Sequence, residues 1–394
     1  MKPIICPGFN AAGVHAGLKN NHEKDLGLIY SETPATVAGV FTTNQVKAAP
    51  VLLDMQRIKT GRCRAIVVNS KNANCCTGDR GMQDAVAMGQ AVSRTLNIDE
   101  GDVMVASTGV IGALLPVEKI IAAAPELVQS LDPEGFMDCA RAMMTTDTVP
   151  KLVHRQGELN GTTFNVLGLA KGSGMIAPNM ATMLCFVCTD IACPADTLNA
   201  LLKKSVDNSL NRIVIDGDTS TNDTTLIMAN GRSGISLEDN DGIDGFQHVL
   251  DNVLFELAHD LVKDGEGVTK VVQIHVENAA TPDDARAIAE SIANSPLVKT
   301  AAFGEDANWG RIAMAAGKAG VAFDPNLLDI FFNDVQMASK GLSCGDRTEA
   351  AAATVLKQPE YSIIVNLNMG KGQASLLTCD FSIDYVKINA DYRS

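Results

Sequence analysis

The sequence predicts an α+β protein, a layered α/β sandwich rather than a doubly wound parallel sheet, and three observations carry that prediction. Short apolar runs closed by turn residues alternate with stretches of helical periodicity. Their order lacks the strict strand–helix–strand repetition of a parallel sheet. The chain also has 394 residues, 46% of them hydrophobic, which suffices for two core-forming units.

Residues 64–69 (Arg-Ala-Ile-Val-Val-Asn) and 102–106 (Asp-Val-Met-Val-Ala) read as buried strands, with a helix over 82–96 between them. The continuous apolar run 183–188 predicts another buried strand. There Cys185 and Cys188, with Cys193 close by, act as small hydrophobes rather than metal ligands. Leu198, Leu201, Leu202, Val206 and Leu210 recur at helical spacing after the start signals Pro194 and Asp196. A clearer stripe, Phe246, Val249, Leu250, Val253, Leu254, Leu257 and Leu261, ends at Asp264-Gly265-Glu266-Gly267 and leaves Glu266 in a tight turn. A strand over 271–276 follows. Thr281-Pro282-Asp283-Asp284 then opens a helix with an N-cap, proline at the first helical position and acids in the first turn. Segments 361–369 and 375–389, joined by Gly370-Lys371-Gly372, predict a hairpin whose second strand includes 384–389.

Composition excludes several function classes. A net charge of −14 argues against a phosphate-tracking surface, so no nucleic-acid partner is expected. The same field repels anionic small molecules, so a carboxylate ligand needs a lysine inside the site. No apolar stretch has the length of a membrane span, and the start of the sequence lacks the apolar region of a signal peptide. Ten cysteines are too dilute for a disulfide scaffold, so a cytoplasmic, reduced setting is expected. The six histidines are scattered; His248 and His259 share a helix, and none is given a catalytic role. Asp216, Asp218 and Asp223 fit either a cation site or a hydrogen-bonded turn network.

The most informative segment is Lys171-Gly172-Ser173-Gly174-Met175-Ile176-Ala177-Pro178-Asn179-Met180-Ala181-Thr182-Met183-Leu184. Its GxGxxA spacing matches a dinucleotide fingerprint, but that loop must open a long helix, and here Pro178 and a strand-like run follow. A threonine heading a strand can instead attack the preceding carbonyl, and Ala181 crowds that carbonyl little. Cleavage leaves the Thr182 α-amine free, with a reference pKa of about 7.7–8.0, able to take the proton of its own hydroxyl. One residue then supplies nucleophile and base.

Several separated segments corroborate this reading. They are Ala38-Gly39-Val40-Phe41-Thr42-Thr43-Asn44, Asn69-Ser70-Lys71-Asn72-Ala73-Asn74, Ser107-Thr108-Gly109-Val110-Ile111-Gly112 and Thr145-Thr146-Asp147-Thr148. The Lys171 to Leu184 loop, Asp216-Gly217-Asp218-Thr219-Ser220-Thr221-Asn222-Asp223, Gly304-Glu305-Asp306-Ala307-Asn308-Trp309-Gly310-Arg311 and Asn389-Ala390-Asp391-Tyr392-Arg393-Ser394 complete them. Together they resemble the ornithine acetyltransferase family, also called glutamate N-acetyltransferase, over essentially the full length. The resemblance implies self-cleavage between Ala181 and Thr182 into an α chain, 1–181, with the oxyanion segment and substrate loop, and a β chain, 182–394, with the nucleophile. The chains stay together, as a heterotetramer, in the fold of self-processing N-terminal-nucleophile-like aminopeptidases.

By the same resemblance Thr182 is the nucleophile, while Thr108 and Gly109 form the oxyanion hole. Thr148, Lys171, Thr182, Glu266, Asn389 and Ser394 meet the substrates, N-acetylornithine and glutamate. Lys171 suits a carboxylate and Glu266 the ornithine ammonium. Acetyl transfer is then ping-pong, with no metal or organic cofactor, and acetyl-CoA stands as an optional second donor. Two rival readings remain: an N-terminal-nucleophile aminopeptidase or amidase, in which water resolves the acyl-enzyme, and a non-enzymatic amino-acid-binding protein, which stays uncut.

Overall fold

The computed structural model describes residues 4–177, 183–237 and 242–391. The chain forms two compact units, residues 1–211 with 218–261, and residues 212–217 with 262–394. These units do not follow the 181/182 junction.

In the first unit, strands β1 (Phe9–Val14), β2 (Leu26–Phe41), β3 (Arg62–Asn69), β4 (Val103–Ser107), β5 (Lys151–Leu159), β6 (Thr162–Lys171) and β7 (Leu184–Thr189) are interleaved with helices. The helices are α1 (Ala49–Arg57), α2 (Gly78–Leu96), α3 (Val117–Gln129), α4 (Phe136–Met143) and α5 (Ala195–Asn208). The short strand β8 (Ile213–Val214) belongs to the second unit, and β9 (Thr224–Ala229) and α6 (Ile243–Lys263) follow it. The mixed sheet runs β4-β3-β2-β9-β7-β6-β5, with β1 beside β2. Ile66 and Val68 of β3 pack with α4, whereas Ala65 and Val67 pack with α2 and α3. Helices thus cover both faces, and every residue of β7 is buried, as its unbroken apolar run requires.

Helix α6 fulfils the periodicity of its sequence. Phe246, Leu250, Val253, Leu254, Leu257 and Leu261 are fully buried, each contributing roughly 1.5–3 kcal/mol relative to exposure. The helix lies so close to β6 that a Cβ on Gly168 would meet Leu257 at 2.8 Å and Val253 at 2.9 Å.

The second unit holds β10 (Val271–Ala279), α7 (Pro282–Ala293), α8 (Pro296–Phe303), α9 (Trp309–Gly317), β11 (Asp329–Phe332), β12 (Val335–Ser339), β13 (Leu342–Ser343), α10 (Asp346–Leu356), β14 (Glu360–Asn366), β15 (Gly372–Cys379) and α11 (Ile383–Ala390). Its sheet order is β13-β12-β11-β14-β10-β15-β8. Val272, Ile274 and Val276 of β10 face α7, α9 and α10 in one core. Thr281 caps α7, its side chain accepting from the Asp284 N–H, with Pro282 opening the helix.

Two expectations fail in this unit. Strands β14 and β15 do not form a hairpin, because β10 lies between them, parallel to β14 and antiparallel to β15. The loop between them instead caps β10: the Met369 and Gly370 N–H groups both donate to the Asn278 carbonyl. Residues 384–389 are helical, not extended. Ser382 caps α11 by accepting from the Tyr385 N–H, and a two-residue alternation too short to define a strand yields to that cap.

Among the described residues, no helix is long and apolar enough to cross a membrane, and no three His, Cys, Asp or Glu side chains are grouped to hold a metal ion.

Candidate active site

Strand β2 shapes the first unit's site. Its residues 26–30 pair with β3 and 36–41 with β9, and the register shifts between Tyr30 and Ala35, around Pro34. Such an irregularity bends a strand, and proline is tolerated there because it interrupts the ladder. The Asn222 side-chain amide, just before β9, donates to the Ala73 carbonyl at 2.7 Å and the Ser107 carbonyl at 2.8 Å. Ser107 Oγ in turn donates to Asn69 Oδ1 at 2.6 Å. Three of the segments singled out in the sequence therefore lock together through Asn69, Ser107 and Asn222.

Thr108 and Gly109 follow directly from β4. Thr108 is buried, and its N–H donates to the Asn69 carbonyl. Gly109 has φ +134°, and a Cβ there would lie 2.1 Å from the carbonyl carbon of Lys71. Only glycine fits so close to a neighbouring backbone. The Gly109 N–H finds no hydrogen-bond partner among the described residues, which leaves it available to a ligand oxygen.

Lys171 ends β6 with its side chain buried, and its Nζ lies 3.4 Å from Thr108 Oγ1 and 3.9 Å from Asp147 Oδ2. Asp147 is the hub of this corner. Its carboxylate accepts from Lys151 Nζ at 2.8 Å, the Gly172 N–H at 2.6 Å and the Thr145 N–H at 3.0 Å. Burial alone would raise its pKa, yet the Lys171 and Lys151 ammonium groups hold it well below the usual carboxylate range. Thr146 Oγ1 meets Ser173 Oγ at 2.7 Å, so the two loops touch again, and Thr148 lies exposed in the same loop. Sequence reading singled out the Thr145 to Thr148 segment without assigning Asp147 a role. The available signal was an acid four residues before Lys151 in a Thr-rich turn.

Ala181 and Thr182 lie outside the described residues, as does Ser394. Their neighbours are described. Lys171 and Leu184 are register partners of β6 and β7, and the Met183 N–H donates to Asp223 Oδ1 at 2.8 Å.

In the second unit, Glu266 and Asn389 are brought together. Asn389 Nδ2 donates to Glu266 Oε2 at 2.8 Å. Glu266 is buried, unlike the solvated glutamate that a surface turn suggests. Its turn closes through the Val268 N–H to the Gly265 carbonyl, with Gly267 at φ +67°. A Cβ on Gly267 would lie 2.5 Å from the Tyr385 nitrogen, so the turn lies against the first turn of α11. Beneath that helix Phe381 stacks on Tyr385, and the buried Lys299 ammonium sits 4.8 Å from the Phe381 ring centre. The Tyr385 hydroxyl donates to Asp216. Both residues of that contact belong to the second unit.

Burial pushes the Cys185 thiol up to about 12 and the Cys193 thiol up to about 11, so neither is a ready thiolate.

Residues 10–394 match the ArgJ family. A Geobacter sulfurreducens protein named arginine biosynthesis bifunctional protein ArgJ is 49% identical over 389 residues, covering 98% of this chain and 99% of that one. A Syntrophotalea carbinolica protein of the same name is 48% identical over 389 residues, with the same shares covered. Among solved structures, an arginine biosynthesis bifunctional protein from Bacillus halodurans is 43% identical over a stretch covering 45% of this chain and 92% of that one, with a TM-score of 0.42.

Proposed function

Because this chain belongs to the ArgJ family, we propose that it moves an acetyl group from N-acetylornithine to glutamate through an acyl-Thr182 ester, after cleavage between Ala181 and Thr182. It is an acyltransferase of arginine biosynthesis. One observation above all supports Thr182 as the acyl carrier. Leu184, two residues after Thr182 in sequence, is the register partner of Lys171, and Lys171 reaches Thr108, next to the Gly109 N–H.

In the first half-reaction, the Thr182 hydroxyl oxygen attacks the acetyl carbonyl carbon while its proton passes to the Thr182 α-amine. Negative charge builds on the carbonyl oxygen, where the Thr108 hydroxyl and Gly109 N–H stabilise it. Collapse breaks the C–N bond, and the proton moves to the leaving amine of ornithine. In the second half-reaction, the neutral amine of glutamate attacks the ester, the α-amine relays its proton, and the C–O bond breaks to give N-acetylglutamate and free Thr182. Lys171 meets a substrate carboxylate and Glu266 the ornithine ammonium. Thr148, Asn389 and Ser394 supply neutral hydrogen bonds.

Sheet order supports a stable cut form. Strands β9 and β7, from residues after the junction, lie between β2 and β6, from residues before it, so the two chains interleave. We take them to assemble further into a heterotetramer working in the cytoplasm. Acetyl-CoA as a second donor is supported by the word bifunctional in the names of the relatives.

Incubation with N-acetylornithine and glutamate, with and without acetyl-CoA, tests this function. The expected result is N-acetylglutamate equimolar with released ornithine, and further N-acetylglutamate from acetyl-CoA alone. Release of free acetate without N-acetylglutamate would make the protein a hydrolase instead.

A further inference from the structure

We infer that Lys171 is a positioning residue for the Thr108 hydroxyl, and that buried Asp147, gripped by Lys151, fixes Lys171 in that role. This rests on the reading of Thr108 as an oxyanion donor, and holds whatever Lys171 also offers to a substrate carboxylate.

A hydroxyl carries one proton and can turn it in any direction its surroundings permit. An ammonium group has only protons to give, so across the 3.4 Å between Lys171 Nζ and Thr108 Oγ1 the lysine must donate and the threonine accept. That contact denies the Thr108 proton the direction of Lys171. No other side-chain hydrogen bond of Thr108 is found among the described residues. The hydroxyl proton is thus left for an acceptor other than Lys171, and Thr108 stands one residue before Gly109, whose N–H makes no hydrogen bond among the described residues. Preorganised donors are effective because they need not reorient when charge develops.

The lysine itself is held. Its side chain is 4% exposed, and the Asp147 side chain is fully buried, with Lys151 Nζ on one carboxylate oxygen and Lys171 Nζ near the other. Asp147 also accepts from the Gly172 N–H, the residue directly after Lys171, so the backbone and the tip of the lysine share one anchor. Three long or charged side chains buried for a surface carboxylate contact alone would be an expensive arrangement.

The test separates this role from carboxylate binding by using p-nitrophenyl acetate, an acetyl donor without a carboxylate, and reading the nitrophenol burst that accompanies acylation of Thr182. Lys171→Met, Thr108→Val, the double variant and Lys171→Arg are compared with wild type. Thermal melting and N-terminal sequencing confirm that each is folded and cut. We expect Lys171→Met and Thr108→Val each to slow the burst by about 10- to 100-fold, the double variant to be no slower than Thr108→Val, and Lys171→Arg to recover part of the loss. A Lys171→Met penalty that disappears with this donor, or that multiplies with Thr108→Val, overturns the inference. Lys171→Met protein that stays uncut while Thr108→Val cuts normally overturns it equally, because the lysine would then act at a step that bypasses Thr108. If Thr108→Val alone leaves the burst unchanged, the oxyanion assignment falls and the inference falls with it.

Discussion

Asn389 and Glu266, separated by most of the second unit's sequence, share a 2.8 Å hydrogen bond that ties helix α11 to the turn after α6. The bond gives Asn389, the sixth residue from the end of the sequence, a fixed place beside a buried carboxylate. Terminal residues without such an anchor are normally frayed and tolerant of change.

Asn389→Ala is therefore expected to raise KM for N-acetylornithine by about tenfold or more, the usual worth of a hydrogen bond to a charged group, with self-cleavage intact. Deletion of 390–394 should raise KM further. Steady-state kinetics beside a denaturing gel check both, and an unaltered KM for both substrates removes the C-terminal segment from the site.

How far the sequence revealed this arrangement differs between the units. Helix α6 and the Thr281 cap of α7 were legible because their determinants are local: an apolar stripe in one case, a side chain three residues from its partner in the other. The β14–β15 misreading arose because β10, which separates them, comes from more than eighty residues upstream, and no local pattern announces an inserted strand. Helix α11 was misread because Tyr385, Lys387 and Asn389 alternate with apolar residues over less than two turns, while the deciding Ser382 cap lies outside that window. Asp147 was seen only as part of a motif, since its meaning depends on Lys171, at the end of strand β6 and distant in sequence from the Asp147 loop.

Gly109→Ala should abolish measurable transfer. The added Cβ meets the Lys71 backbone at 2.1 Å, at a φ that side chains rarely adopt, so the loop must move and the N–H with it. Thr108→Ala removes a donor without a clash and should lower kcat roughly 10²-fold with little change in KM. Equal losses from the two variants would argue against this distinction.

Strand interleaving predicts that the cut chains, 1–181 and 182–394, coelute on gel filtration without denaturant and separate only when unfolded. Residues 1–181 expressed alone should be insoluble, because β2 and β6 lose the strands between them. A soluble, monomeric 1–181 fragment would contradict the sheet order.

Asp147 gives a pH signature. Its folded pKa lies below its unfolded value of about 3.9, so the unfolded chain takes up the proton first as pH falls. Its stabilisation is complete above that value and is lost as the pH drops toward the folded pKa. Asp147→Asn should cost about 3–5 kcal/mol near neutrality, as breaking a buried pair does, and progressively less below about pH 4. Urea midpoints at several pH values measure this. A gap to wild type that widens in acid would have the wrong sign.

In the proposed reaction Thr182, freed as an N-terminus, carries the acetyl group. Mass spectrometry of purified protein, quenched after mixing with N-acetylornithine in the absence of glutamate, tests it most directly. The expected result is a chain beginning at Thr182 with one added acetyl group on that residue, lost when glutamate is added and never formed in Thr182→Ala, which stays uncut. A single uncut chain that transfers acetyl groups at full rate, or a glutamate-sensitive acetyl group on another residue, would contradict it.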